Sequence, residues 1–407
     1  MKFAKNIFQI VIICLSVNSA FANINNFEEI KTKAIQGDIQ SQFELGNIYV
    51  NQVKDDVRAF EWFYKAAVQG NPTAQEYVAR MYINGQGVTQ SYSNAMTWFS
   101  KSANQGNKEA AYALGMMYYY GQGFDQNYIQ AFEWYKKAAS LGDIYSQYVV
   151  GLMYHHGDGV KQNYPKALEW YNKAAAQGNK DALYNLGIMY KDGEGVIKNY
   201  SKAYEWLQKA LSQGNTAALS PLAFLYDKGL GVSKNTSKAL ELYEKAVIKG
   251  EATAQHNLGR KYYFGEDVEK NYKKAFDLYH QAAQQGIAES QYNLAKMYSD
   301  GEGVTKDEIK AFEWYKKAAE QGYSDAQNNL AILYENGLGT VKSYTSANEW
   351  YLKAANNGNA KAQFNIGQNY LYGSNGLPKN RTQALNWLKK SSANGDAQAK
   401  LVLAGLL

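Results

Sequence analysis

The chain has 407 residues, 20% of them charged, with a formal net charge of +6 and a mean hydropathy of −0.51. So small a surplus over such a length excludes a surface that tracks phosphates, and a chain that is 46% hydrophobic with four prolines is not a disordered one. The single cysteine, Cys14, excludes a disulfide framework.

At the start, Lys2 and Lys5 precede an apolar run from Ile7 to Val17, and Ala20-Phe21-Ala22 sets small residues at the two positions a signal peptidase reads. The expectation is a signal peptide over residues 1–22, cleaved after Ala22 to leave Asn23 at the new N-terminus. Cys14 then leaves with it, and Ile13 is not the small residue that lipid attachment wants before the cysteine. The apolar run is short for a bilayer and nothing later approaches one, so no membrane span is expected. Residues 23–37 come next and supply a lone capping helix, Phe27 to Ile35.

From Asp38 the chain repeats. Trp62, Trp98, Trp134, Trp170, Trp206, Trp314, Trp350 and Trp387 stand 36 residues or a multiple apart, with a one-residue slip at the last, and Leu242 and Leu278 fill the vacant slots. A period of this length means stacked supersecondary units. The stretch from Asp143 to Gly178 shows one unit. Tyr145 to His156 reads as a first helix, broken by Gly157-Asp158-Gly159-Val160, whose glycines accept positive φ. Tyr164 to Ala175 reads as a second helix, capped by Asn163 and stopped by Gln177-Gly178.

The same cap slot holds Asp55, Ser91, Asn127, Asn199, Asn235, Asn271, Asp307, Ser343 and Asn380, all able to accept an orphan backbone N–H. The Asn-x-Ser/Thr triplets at Asn199, Asn235 and Asn380 are therefore read as caps and not as glycosylation sites. In the first helix a large apolar residue precedes Gly or Ala, and a tyrosine follows three residues on, as in Leu114-Gly115 with Tyr118 and Leu186-Gly187 with Tyr190. A small residue lets helices approach and the tyrosine fills the gap one turn away, so these are packing positions. Lys136, Lys137, Lys316 and Lys317 recur at fixed slots and read as solvated helix faces.

Leu-Gly-x-x-Tyr, then Gly-x-Gly-Val, then Lys-Ala-x-x-Trp-Tyr-x-Lys-Ala-Ala-x-Gln-Gly resembles the Sel-one-like repeat, a relative of the tetratricopeptide repeat, over about ten units in residues 38–395. The resemblance implies an all-α fold, a right-handed α/α superhelical solenoid of helix-turn-helix repeats with period 36. Three units depart from the pattern. The first lacks a glycine loop between Tyr49 and Ala59, another has Asp267 where the second loop glycine belongs, and the last loop, Gly373 to Gly376, is one residue longer. Residues 396–407 close the array as a lone first-type helix whose Leu403-Ala404 and Leu407 fall on packing slots. That apolar edge also offers a surface for a homodimer.

Little points to catalysis. His155 and His156 are neighbours on a helix and so point about 100° apart, and with His256 and His280 they complete the histidines without a metal-ligand spacing. No catalytic residue, metal site or cofactor is expected, and loops such as Gly193-Glu194-Gly195 follow a helix and carry acid, which reads as a turn and not a phosphate cradle. Exported members of the resembling family that bind or hydrolyse β-lactams are rich in cysteine; this chain lacks those cysteines, and a β-lactam-binding or hydrolysing enzyme stands as the alternative of another class.

The candidate binding face lies between the packing slots. Tyr112, Met116 and Tyr119, then Tyr148, Leu152 and His155, then Tyr184, Ile188 and Lys191, then Ser220, Phe224 and Asp227 each follow i, i+4, i+7 and share one helix side. Arg260 and Lys296 continue the middle position as basic residues. The resemblance places this side in the concave groove of the solenoid, where an apolar partner segment followed by acidic residues fits. It further implies a non-catalytic scaffold or adaptor that binds another protein at the bacterial cell envelope, in the periplasm or secreted beyond it. The narrower alternative is an immunity protein that neutralises a lipase-type toxic effector. No nucleic-acid partner is expected.

Overall fold

The computed structural model describes residues 26–406, so the expected signal peptide, its cleavage site after Ala22, Cys14 and Leu407 lie outside the described residues. Among the described residues the fold is all-α, with no strand, and consists of antiparallel helix pairs in repeats of about 36 residues. The chain divides between Asn199 and Tyr200 into two compact units.

The first unit runs α1 (26–35), α2 (Ile39–Ile48), α3 (Asp56–Val68), α4 (Pro72–Asn84), α5 (Tyr92–Asn104), α6 (Lys108–Tyr120), α7 (Tyr128–Ser140), α8 (Ile144–His156), α9 (Tyr164–Ala176) and α10 (Lys180–Asp192). The second runs α11 (Tyr200–Ser212), α12 (Leu219–Lys228), α13 (Thr236–Ile248), α14 (Ala252–Phe264), α15 (Tyr272–Gln284), α16 (Ala288–Asp300), α17 (Glu308–Glu320), α18 (Ser324–Asn336), α19 (Tyr344–Asn356), α20 (Ala360–Tyr372), α21 (Arg381–Ala393) and α22 (Ala397–Leu406). Even-numbered elements are the first helices of their repeats.

Local chemistry sets each boundary. Asn163 Oδ1 accepts from the Lys166 N–H at 3.0 Å and opens α9. At its end Gly178 takes positive φ, and the Asn179 N–H returns to the Ala174 carbonyl at 3.0 Å. Asn179 then accepts from the Ala182 N–H at 2.8 Å and opens α10, so one residue closes a helix and starts the next. Gln177-Gly178 in the sequence predicts only the stop.

The second loop glycine answers two demands at once. Gly159 has φ 66°, and a Cβ there would stand 2.1 Å from the Tyr128 carbonyl oxygen at the start of α7, so neither the backbone nor the space tolerates a side chain. Where the first repeat lacks this loop, a wide turn over Tyr49–Val53 and Lys54 in the left-handed region make the reversal. Pro221 has no N–H to donate to a preceding carbonyl, and α12 accordingly begins with a tight turn at Thr216–Ala218.

The packing slots behave as the small-residue argument requires. A Cβ on Gly151 would lie 2.6 Å from the Tyr171 ring, which therefore rests directly on the α8 backbone. One turn on, Tyr154 meets Phe132 of the preceding second helix edge-on, with centroids 5.2 Å apart, and Phe60–Tyr82, Phe276–Tyr298 and Phe312–Tyr334 copy the pair. Such pairs add about 0.5–1.5 kcal/mol beyond burial. Each tryptophan is covered by the lysine three residues on, 3.9 to 5.0 Å from the ring centroid. Lys137 and Lys317 thus do more than solvate a face: they roof Trp134 and Trp314.

Between stacked repeats runs a ladder of buried amides. Gln147 donates to the Ala139 carbonyl at 3.3 Å and accepts from Gln177 Nε2 at 2.7 Å. Gln75, Gln291, Gln327 and Gln363 do the same with their neighbours, as a buried amide must. At the end, Ala399 and Leu403 of α22 are buried against Leu388, so the apolar tail packs on the last repeat. No helix among the described residues is long and apolar enough to cross a membrane.

Candidate functional site

In the first unit all nine expected face residues are half-buried: Tyr112, Met116 and Tyr119 on α6, Tyr148, Leu152 and His155 on α8, Tyr184, Ile188 and Lys191 on α10. The buried slots between them, Leu114, Met117, Val150, Met153, Leu186 and Met189, form the core. A cleft of about 250 Å³ opens beside Tyr112 and Met116 and is closed by Arg80, Ile83 and Phe99. Tyr119 meets both Tyr120 and Tyr128 edge-on, at 5.1 and 5.0 Å, which makes this end strongly aromatic. His155 Nε2 lies 3.3 Å from Glu194 of the next first-helix loop. Burial holds this imidazole below its ordinary range, with the carboxylate working the other way. Lys191 pairs with Asp192 at 2.6 Å.

The second unit departs from expectation. Phe224 is half-buried, but Ser220 and Asp227, expected beside it on an exposed face, are buried. Asp227 is only 4% exposed because it is the centre of an ion cluster: it accepts from Lys261 Nζ and pairs with Lys228 at 3.1 Å, while Lys261 reaches Asp267 at 2.9 Å. Burial pushes the Asp227 carboxyl up, and the two lysines overcome this and leave it below the usual carboxylate range. Burial likewise pulls Lys261 down, and its two carboxylates overcome that and hold it above the usual lysine range.

The array itself shows how unusual this cluster is. The slot of Lys261 holds Met81, Met117, Met153, Met189, Leu225, Met297 and Leu333 in other repeats, and the slot of Asp267 holds Gly87, Gly123, Gly159, Gly195, Gly231, Gly303 and Gly339. Asp267 stands at φ 62°, a conformation a carboxylate residue takes at a cost. A related change occurs once more: Glu335 stands in the slot of Asp227, Asn369 in that of the methionine, and the lengthened loop adds Asn375, at φ 55°, before the retained Gly376. Asn375 donates to Glu335 and, at 3.0 Å, to Asn369, while Tyr351 donates to Glu335 at 2.6 Å. Where the neighbour's helix offers a carboxylate, the next repeat answers with polar groups in its core and its loop.

A cleft of about 450 Å³ lies above the Lys261 cluster, lined by Phe224, Asp227, Lys228, Arg260, Lys261 and His256 among others. The expected basic continuation is partly answered from within: Arg260 is held by Glu266 at 3.0 Å, and Lys296 donates to the Tyr263 hydroxyl at 2.8 Å. His256 Nδ1 lies 2.8 Å from Ser290 Oγ and its Nε2 lies 3.4 Å from Glu289. This serine, histidine and acid do not make a working nucleophile, since Ser290 is wholly buried on the packed side of α16 and no acyl group can reach its hydroxyl. Burial holds His256 below its ordinary range, with Glu289 opposing. Among the described residues no group of three or more His, Cys, Asp or Glu is placed to hold a metal ion.

Sequence reasoning found the half-buried rows but missed the clusters. Asp267 was visible as a missing glycine, and Lys261 as a lysine in a methionine slot was the signal that would have joined them.

Comparison with known proteins agrees with the architecture. The Sel1 repeat matches ten times, at residues 39–71, 72–107, 108–143, 144–179, 180–215, 217–251, 252–287, 288–323, 324–359 and 360–396. The crystal structure of c5321, a protective antigen present in uropathogenic Escherichia coli strains and displaying an SLR fold, is 36% identical, with a TM-score of 0.74 over 93% of this chain and 82% of that one. A Sel1 repeat protein from Oxalobacter formigenes is 32% identical, with a TM-score of 0.53 over 60% of this chain and 96% of that one. Immunity protein PA5088 from Pseudomonas aeruginosa is 23% identical over 53% of this chain and 81% of that one, with a TM-score of 0.35. Among curated proteins none matches the chain.

Proposed function

The chain belongs to the Sel1 repeat family, and on that premise we propose that it is an exported, non-catalytic scaffold that binds a partner protein at the bacterial envelope through the exposed side of its first helices. One observation carries this reading. The packing slots of Leu114, Gly115 and Met117 are filled by similar small or apolar residues in nearly every repeat and are buried, while the slot between them runs Met116, Leu152, Ile188, Phe224 and Arg260 and stays half-buried. Side chains released from packing are available for recognition, and large aromatic and apolar ones supply most of the energy of an interface. The charged start, apolar run and Ala20-Phe21-Ala22 support export to the periplasm by a signal peptide over residues 1–22.

Replacing Ile188 in the first unit and Phe224 in the second by Asp tests the face. Crosslinked partners are captured from the exporting cells and identified by mass spectrometry. Loss of the partner with an unchanged melting curve supports the reading, and capture that survives both changes overturns it. The identity of what is captured separates an envelope component from a toxic effector, the narrower immunity role.

A further inference from the structure

Copies of one unit along a single chain make departures measurable, and those of residues 252–287 converge. Lys261 stands where other repeats carry methionine, leucine or isoleucine, with Asn369 the other exception, and Asp267 stands where the other loops carry glycine. Asp227, His256 and Lys261 line the 450 Å³ cleft, and Asp267 and Ser290 bond to residues that do. Lys261 and Asp267 both work against stability, since a buried lysine replaces an apolar side chain and a non-glycine residue takes the left-handed region. Unfavourable choices gathered around one opening mark recognition and not packing.

The chemistry on offer at the mouth is mostly donor. Asp227 lies deep, with Lys261 and Lys228 both on it, and Glu289, 55% exposed at the rim, shares one contact with His256. Arg260 remains 34% exposed and Lys228 44% exposed, beside the amide of Asn257 and the hydroxyl of Thr253. Glu266 takes two of the five guanidinium N–H donors. Phe224 and Ile287 give the opening an apolar wall, and its volume falls in the range of small-ligand pockets.

We propose that this cleft recognises an aspartate or glutamate side chain of the partner protein, through Arg260 and Lys228, with an adjacent apolar residue of the same segment against Phe224 and Ile287. This rests on the reading of the chain as a protein-binding scaffold and names the chemistry of one contact.

Two blocked, fluorescein-labelled peptides, Gly-Leu-Asp-Leu-Gly and Gly-Leu-Asn-Leu-Gly, are titrated to millimolar concentration on the whole chain and followed by anisotropy, with hydrogen exchange to locate them. The acidic peptide is expected to bind about tenfold more tightly, to weaken with added salt and to protect α14. Arg260→Met, which installs the residue found as Met116 in the same slot of α6, is expected to bring the two peptides level without altering the melting curve. Equal affinities, no binding of either peptide, or an acidic preference that survives Arg260→Met overturns the proposal. A chain that fails this test yet loses its captured partner on Ile188→Asp keeps its scaffold role and loses only the carboxylate contact.

Discussion

Replacing Lys261 by methionine restores the residue that Met81, Met117, Met153 and Met189 supply elsewhere, yet it is expected to destabilise the second unit. The side chain is 2% exposed and bonds two carboxylates, and its removal leaves Asp227, 4% exposed, with Lys228 alone. Breaking a buried pair from one side costs about 3–5 kcal/mol, and the remaining lysine brings the expected loss to about 3 kcal/mol. Changing Asp227 to Leu and Asp267 to Gly in the same chain removes the stranded charge and the left-handed aspartate together. That triple variant is expected to be at least as stable as the native chain and up to about 1–3 kcal/mol more so. Urea denaturation followed by circular dichroism gives the total, and hydrogen exchange assigns it to α14, since a repeat array need not unfold in one step. The pH profile supplies a second check. Asp227, held low, contributes fully above about pH 4 and loses its contribution as the pH falls through its lowered value. Lys261, held high, contributes fully below about pH 10 and loses it as the pH rises through its raised value. The difference between native and Lys261→Met chains should therefore be flat near neutrality and narrow on both sides. A triple variant less stable than Lys261→Met alone would refute the pairing argument.

Glu251 occupies the slot where Asn107, Asn179 and Asn359 cap first helices, but it makes no cap bond, and burial pushes its carboxyl up to about 7. Its ionised form thus opposes folding as the pH rises through that value, and Glu251→Asn should stabilise by about 1 kcal/mol, with a larger gain at pH 8 than at pH 5 in thermal melts. Gly159→Ala should cost on the order of 3 kcal/mol and raise hydrogen exchange first around α7 and α8, because the new methyl would meet the Tyr128 carbonyl; a change below about 0.5 kcal/mol would show that the loop has room. N-terminal sequencing of the native protein should begin at Asn23, and an intact Met1 or a lipid on Cys14 would sink the export reading.

Much of the fold was legible in the residues because its rules are short-range. Asn163 caps α9 three residues away, Gly157 ends α8 one residue past its last turn, and the tryptophans, with Leu242 and Leu278 in two of their slots, keep a 36-residue beat up to Trp350. The candidate face was legible only halfway. Tyr148, Leu152 and His155 share a side by helix geometry alone, but the same arithmetic put Asp227 on an open surface. What hides Asp227 is a lysine 34 residues on, and spacing within one helix cannot report it.

By itself, then, the sequence determined the period, the helix pairs, their caps and the slots that must be small, since each follows from a backbone group or side chain satisfied within a turn or two. The tertiary structure alone decided which polar groups are paired across repeats. Gln177 finds Gln147 30 residues back, Lys261 finds Asp227 34 back and Asn375 finds Glu335 40 back. Those separations are fixed by how one helix pair seats on the next, and that seating is a property of the whole buried interface, which no single residue encodes.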